Sequence, residues 1–127
     1  MRNILLCSQE PLLIKEVYGL LRDQGFEVDT VEYIADSVRW FLIKEYGAVI
    51  LDTRNVGLNA LEAVYIMKNV FSETPIFMIG DEQDGKGTYV RDGIYKIDVP
   101  VEIDRFIQIF KEIMQKRYSV SFERRSV

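Results

Sequence analysis

A chain of 127 residues, with 48% hydrophobic and 28% charged residues, has enough apolar surface for one domain with one core. Its formal net charge is -4 and it has no histidine, which removes the commonest general base and gives no overall attraction for nucleic acid or anionic membrane. The one cysteine, Cys7, excludes an intramolecular disulfide and a multi-cysteine zinc site, in keeping with a reducing cytoplasm.

Ile4-Leu5-Leu6-Cys7 is a short apolar run that reads as the first strand; it is too short for a signal-peptide core or a membrane span. Ser8-Gln9-Glu10-Pro11 follows as a turn, with Ser8 able to cap the next helix and Pro11 suited to its first turn. Leu12, Leu13, Ile14, Val17, Leu20 and Leu21 recur at helical spacing, and Gly25 ends that helix. Phe26 to Val31 alternates apolar and polar residues, as a strand does. A second helix is predicted from about Ala35 to Lys44, with Val38, Phe41 and Leu42 inward.

Ala48-Val49-Ile50-Leu51 is a continuous apolar run that stops at Asp52. Such a run reads as a strand buried on both faces, and in parallel sheets working groups sit just past the carboxyl ends of strands. A loop then leads to a third helix at about Ala60–Val70, and Pro75–Ile79 is a fourth strand. Gly80 to Gly93 is rich in acidic residues and glycine and has little apolar period, so a helix there is short or missing. Ile94–Val99 is the fifth strand, and Ile103, Phe106, Ile107, Phe110, Ile113 and Met114 mark a periodic final helix. A domain over 1–116 is expected, with residues 117–127 as a tail, because the period fades at Arg117. Strands alternating with helices predict an α/β fold, with a parallel sheet covered on both faces.

This order, with the residues at the strand ends, resembles the receiver domain of bacterial response regulators (CheY-like). The resemblance covers about residues 3 to 115. It rests on Glu10-Pro11-Leu12 after the first strand, Val49-Ile50-Leu51-Asp52 with Gly57 beyond, Pro75–Ile79, Gly93-Ile94-Tyr95, and Val99-Pro100. It implies a three-layer, flavodoxin-like sandwich with a five-stranded parallel sheet in the order 2-1-3-4-5. It also implies an aspartate that takes a phosphoryl group from a kinase phosphohistidine, an acidic pair that holds magnesium, and a hydroxyl and a lysine that bind the phosphoryl group.

Only the aspartate is present. Asp52 is the phosphoacceptor candidate. The acidic pair falls on Ser8 and Gln9, the hydroxyl on Gly80 and the lysine on Val99. Val56 and Asn59-Ala60 also depart from the family's loop. Magnesium dehydrates reluctantly and favours carboxylates, so its binding is doubtful and no metal ligands are assigned. Arg54 is the nearby cation, but its side chain is expected to point away from Asp52's face or to sit in the loop. The chain therefore reads as a degenerate, or pseudo-, receiver that is not an enzyme and signals by protein–protein contact.

Two further motifs are weaker. Gly80 to Thr88 nearly matches a phosphate-binding loop, but Gly87 replaces its hydroxyl residue, Asp81, Glu82 and Asp84 would repel phosphate, and no helix follows. Arg124-Arg125 is too small a cluster for more than a few phosphate contacts, so nucleic acid is not an expected partner. The expected partner is a histidine kinase or an output protein in the cytoplasm. A homodimer is expected through a face using Tyr89, Tyr95, Arg105 and Gln108. Two rival readings stand beside this one: a phosphoaccepting regulator that uses Asp52, and a small flavodoxin-like cofactor binder.

Overall fold

A computed structural model describes residues 2–54, 60–80, 89–91 and 93–126, with side chains described to residue 117 and not over 89–91. The elements run β1 (Asn3–Cys7), α1 (Pro11–Asp23), β2 (Glu27–Val31), α2 (Ile34–Ile43), β3 (Ala48–Asp52), α3 (Ala60–Val70), β4 (Ile76–Gly80), β5 (Tyr89–Arg91), β6 (Ile94–Asp98) and α4 (Ile103–Ser126). Five strands pair in parallel in the order β2-β1-β3-β4-β6, and the short β5 joins the β6 edge antiparallel. This is the expected sheet, with one edge strand added. Among the described residues between β4 and β6 there is β5 and no helix; the near-match to a phosphate loop falls on 81–88, outside the described residues.

Alternation along each strand splits the core into two layers. Leu5, Cys7, Val49, Leu51, Ile76 and Ile94 meet Phe41 of α2 and Ala63, Val64 and Met67 of α3. On the other face, Ile4, Leu6, Ile50, Phe77, Ile79 and Ile97 meet Leu13, Val17 and Leu21 of α1 and Phe106, Phe110 and Met114 of α4. Phe77 is fully buried and lies 5.0 Å from the Phe110 ring and 5.2 Å from Tyr95. Burying such a side chain stabilises the fold by about 1.5–3 kcal/mol. A three-layer sandwich results.

The turn after α1 shows how local chemistry sets the strand entry. Gly25 has φ +91°, its N–H donates to the Arg22 carbonyl, and the Phe26 N–H donates to that of Leu21. This is the glycine-terminated cap that the sequence called for. Arg2, just ahead of β1, donates to the Gln24 and Gly25 carbonyls and ties the cap to the sheet.

Three expectations are corrected. Leu42 is half exposed rather than inward, because the buried stripe of α2 is Ile34, Ser37 and Phe41. Tyr95, expected on the dimer face, is half buried: it stacks on Phe77 and packs against the α1–α4 core. The last helix does not stop where its apolar period fades, but continues through residues 117–126 as part of α4.

Candidate functional site

The carboxyl ends of β1, β3, β4 and β6 share one edge of the sheet. That edge gathers Ser8, Asp52, Gly80 and Val99, which are far apart in sequence. The Asp52 side chain is fully buried, and two elements supply its partners. The Ser8 Oγ donates to Oδ2 at 2.7 Å. The Arg54 Nη2 donates to Oδ2 at 2.8 Å, its Nε to Oδ1 at 2.9 Å, and its backbone N–H to Oδ1 at 3.1 Å. Each carboxylate oxygen thus accepts two hydrogen bonds, which uses the roughly four acceptor positions a carboxylate has.

Burial alone would push the Asp52 carboxyl up. The Arg54 and Ser8 hydrogen bonds, the Arg54 backbone N–H and the guanidinium charge outweigh it, and hold the group below the usual carboxylate range. Next to it, burial first, then the charges of Asp52 and Asp36, push the Cys7 thiol up to about 12. A thiol so placed is protonated and inert at neutral pH.

No family model matches the sequence, and no curated protein matches it. Solved structures do match. NtrX from Brucella abortus superposes with a TM-score of 0.79 at 22% identity, over 98% of this chain and 29% of that one. A response regulator receiver domain protein (CheY-like) from Methanospirillum hungatei gives 0.77 at 12% identity, over 94% of this chain and 98% of that one. A structure of histidine kinase ThkA in complex with response regulator protein TrrA gives 0.72 at 20% identity, over 88% and 97%. The chain has the receiver fold.

In the receiver fold, the positions singled out from the sequence fall as follows. Ser8 is buried against Asp52, and its Oγ also accepts the Glu10 N–H at 3.0 Å. Gln9 is half buried and lines a depression with Pro11, Lys15, Glu32 and Tyr33, rather than joining the hydrogen bonds on Asp52. Glu10 is exposed at the start of α1. Val99 packs its side chain on the α1–α4 core, ahead of Pro100. Gly80 ends β4 beside the site with no side chain to offer.

Arg54 corrects the sequence expectation. Its side chain folds back onto Asp52 instead of pointing away. The backbone N–H of Arg54 reaches Oδ1 first, in the turn that an aspartate makes with the residue two positions on. That turn brings the guanidinium alongside the carboxylate, where its planar fork matches both oxygens.

Thr53 was also missed. Its Oγ1 donates to the Ile79 carbonyl at 2.9 Å and occupies the space a Cβ at Gly80 would need. The signal was there: Asp-Thr-Arg places a hydroxyl and a guanidinium directly after the strand-end carboxylate.

A magnesium ion, which the resemblance implies, does not fit these residues. The acceptor capacity of Asp52 is engaged, Ser8 is neutral, and Glu10 is directed to solvent. Among the described residues, no three His, Cys, Asp or Glu side chains cluster as metal ligands would.

Proposed function

We propose that this chain is an atypical response-regulator receiver that acts in two-component signalling by protein–protein contact, without magnesium-dependent phosphotransfer. The observation that carries this reading is the bidentate Arg54–Asp52 pair, completed by Ser8. An aspartate whose lone pairs all accept protein hydrogen bonds is a poor nucleophile. To attack a phosphoryl group it would first have to surrender a charge-assisted pair in a buried site.

In this reading Asp52, Ser8 and Arg54 hold the ends of β1 and β3 together, and Gly80 and Val99 have lost the switching groups. The module is not an enzyme. Its partner is a histidine kinase or an output protein in the cytoplasm; one matched structure is a regulator bound to its kinase. Among the described residues, no helix is long and apolar enough to cross a membrane. In this reading the receiver-like domain is residues 1–116, and residues 117–127 are its C-terminal tail.

A second reading has a specific observation in its favour. Arg54 sets a positive charge within 2.8 Å of Asp52, which could neutralise a phosphoryl group without a metal. Incubation with acetyl phosphate and magnesium, followed by intact-mass measurement, separates the two. No mass gain is expected. A phosphoryl adduct that disappears in Asp52→Asn would establish the phosphoaccepting regulator instead.

A further inference from the structure

The two helices on one face of the sheet are apolar on their outer sides as well as their inner ones. α2 leaves Leu42 48% and Ile43 80% exposed, and α3 and its exit leave Ile66 41%, Val70 46% and Phe71 41% exposed. A surface helix ordinarily presents polar residues outward.

These side chains converge. Lys68 turns toward the lead-in to β4, donating to the Ser72 and Thr74 carbonyls. Residues two positions away on a helix lie about 200° round it, so Ile66 and Val70 sit on the opposite flank, toward α2. Lys44, directly after α2, reaches Asp29 on β2. Leu42, next to Phe41 on α2, stands at the same end of the helix, with Ile43 exposed beside it. Phe71 closes the gap through an edge contact with Phe41 at 5.7 Å. The helices run opposite to the strands, so this seam lies at the end of the domain away from Asp52.

We propose that the α2–α3 seam is a homodimer interface, in which the seams of two copies pack about a twofold axis. The exposed area of the five side chains is roughly 500 Å², taking about 200 Å² for a whole side chain of this size. A standard interface removes about 800 Å² per partner, about 65% of it apolar in homodimers. The seam supplies that apolar share from one copy.

Two of the nearby cations are paired within the chain, while Glu45 and Glu62 stand exposed beside the seam. Arg39 pairs with Asp36 at 2.8 Å, and Lys44 with Asp29 at 2.7 Å. The five side chains themselves are uncharged, so the contact they make is apolar and needs no complementary charge on the other copy. This inference does not depend on the state of Asp52.

Sedimentation equilibrium of the full chain, from low to several hundred micromolar, tests it. A reversible dimer is expected. Ile43→Glu and Ile66→Glu should each weaken it by about tenfold or more, and Arg105→Glu on α4 should leave it unchanged. Ile43 is largely solvent-facing, so its variant folds whatever Ile66→Glu does. A monomer at all concentrations, or a dimer that survives Ile43→Glu and is lost in Arg105→Glu, would overturn the proposal.

Discussion

Asp52 is a carboxylate whose side chain is buried away from the surface. Removing the guanidinium leaves it the Ser8 hydroxyl and one backbone N–H, whereas removing the carboxylate leaves a partly exposed Arg54 that can turn to solvent. Arg54→Ala is therefore expected to cost about 3 kcal/mol of stability, and Asp52→Asn about 1–2 kcal/mol, as read from urea unfolding. The pH dependence follows from the direction of the shift. A carboxyl held below its unfolded value contributes its full stability above that value and loses it as pH falls through the folded one. Asp29 acts in the same sense: burial pushes it up, but the Lys44 and Tyr46 hydrogen bonds and the Lys44 charge hold it lower. Stability should fall steeply below about pH 4, and less steeply in Asp52→Asn. An acid limb of equal slope in the two proteins would count against the pairing.

At the scale of elements, the ends of β3 and β4 fit together through one missing side chain. Thr53 occupies the space beside Gly80, so Gly80→Ser or Gly80→Thr should destabilise by about 1–3 kcal/mol through overpacking. Thr53→Ala should relieve much of that cost, and a double-mutant cycle by thermal melting would show non-additivity. Additive effects would mean that the two positions do not compete for space. A hydroxyl side chain at Gly80 is thus obstructed by the neighbouring strand. The same elements show what sequence can and cannot convey. The strands were legible because Ile4–Cys7, Ala48–Leu51 and Ile76–Ile79 are unbroken apolar runs, and α1 because its period ends at a glycine. Asp52 was legible as a strand-end carboxylate. The direction of Arg54 was not, since it depends on a two-residue turn that periodicity does not encode. Nor was the exposure of Leu42, which depends on how far α2 is rolled against the sheet.

For the whole molecule, the parallel sheet brings four strand ends to one edge, and what stands there decides how the domain responds to its surroundings. A domain that bound magnesium at Asp52 would gain stability by mass action as the ion was added. Millimolar magnesium is expected to leave the melting temperature where an ionic-strength-matched monovalent salt leaves it, and a rise specific to the divalent ion would place a cation in the site. The spacing of Asp52 and Arg54 carries one more consequence. Carboxylate and guanidinium lie two residues apart, so their union needs no distant loop to close and persists through changes elsewhere on that edge. Replacing Ser8 by aspartate would set a second acid beside the guanidinium rather than free Asp52, and Gln9 lies away from the pair. Freeing the Asp52 carboxylate for any other partner therefore means dislodging position 54 first.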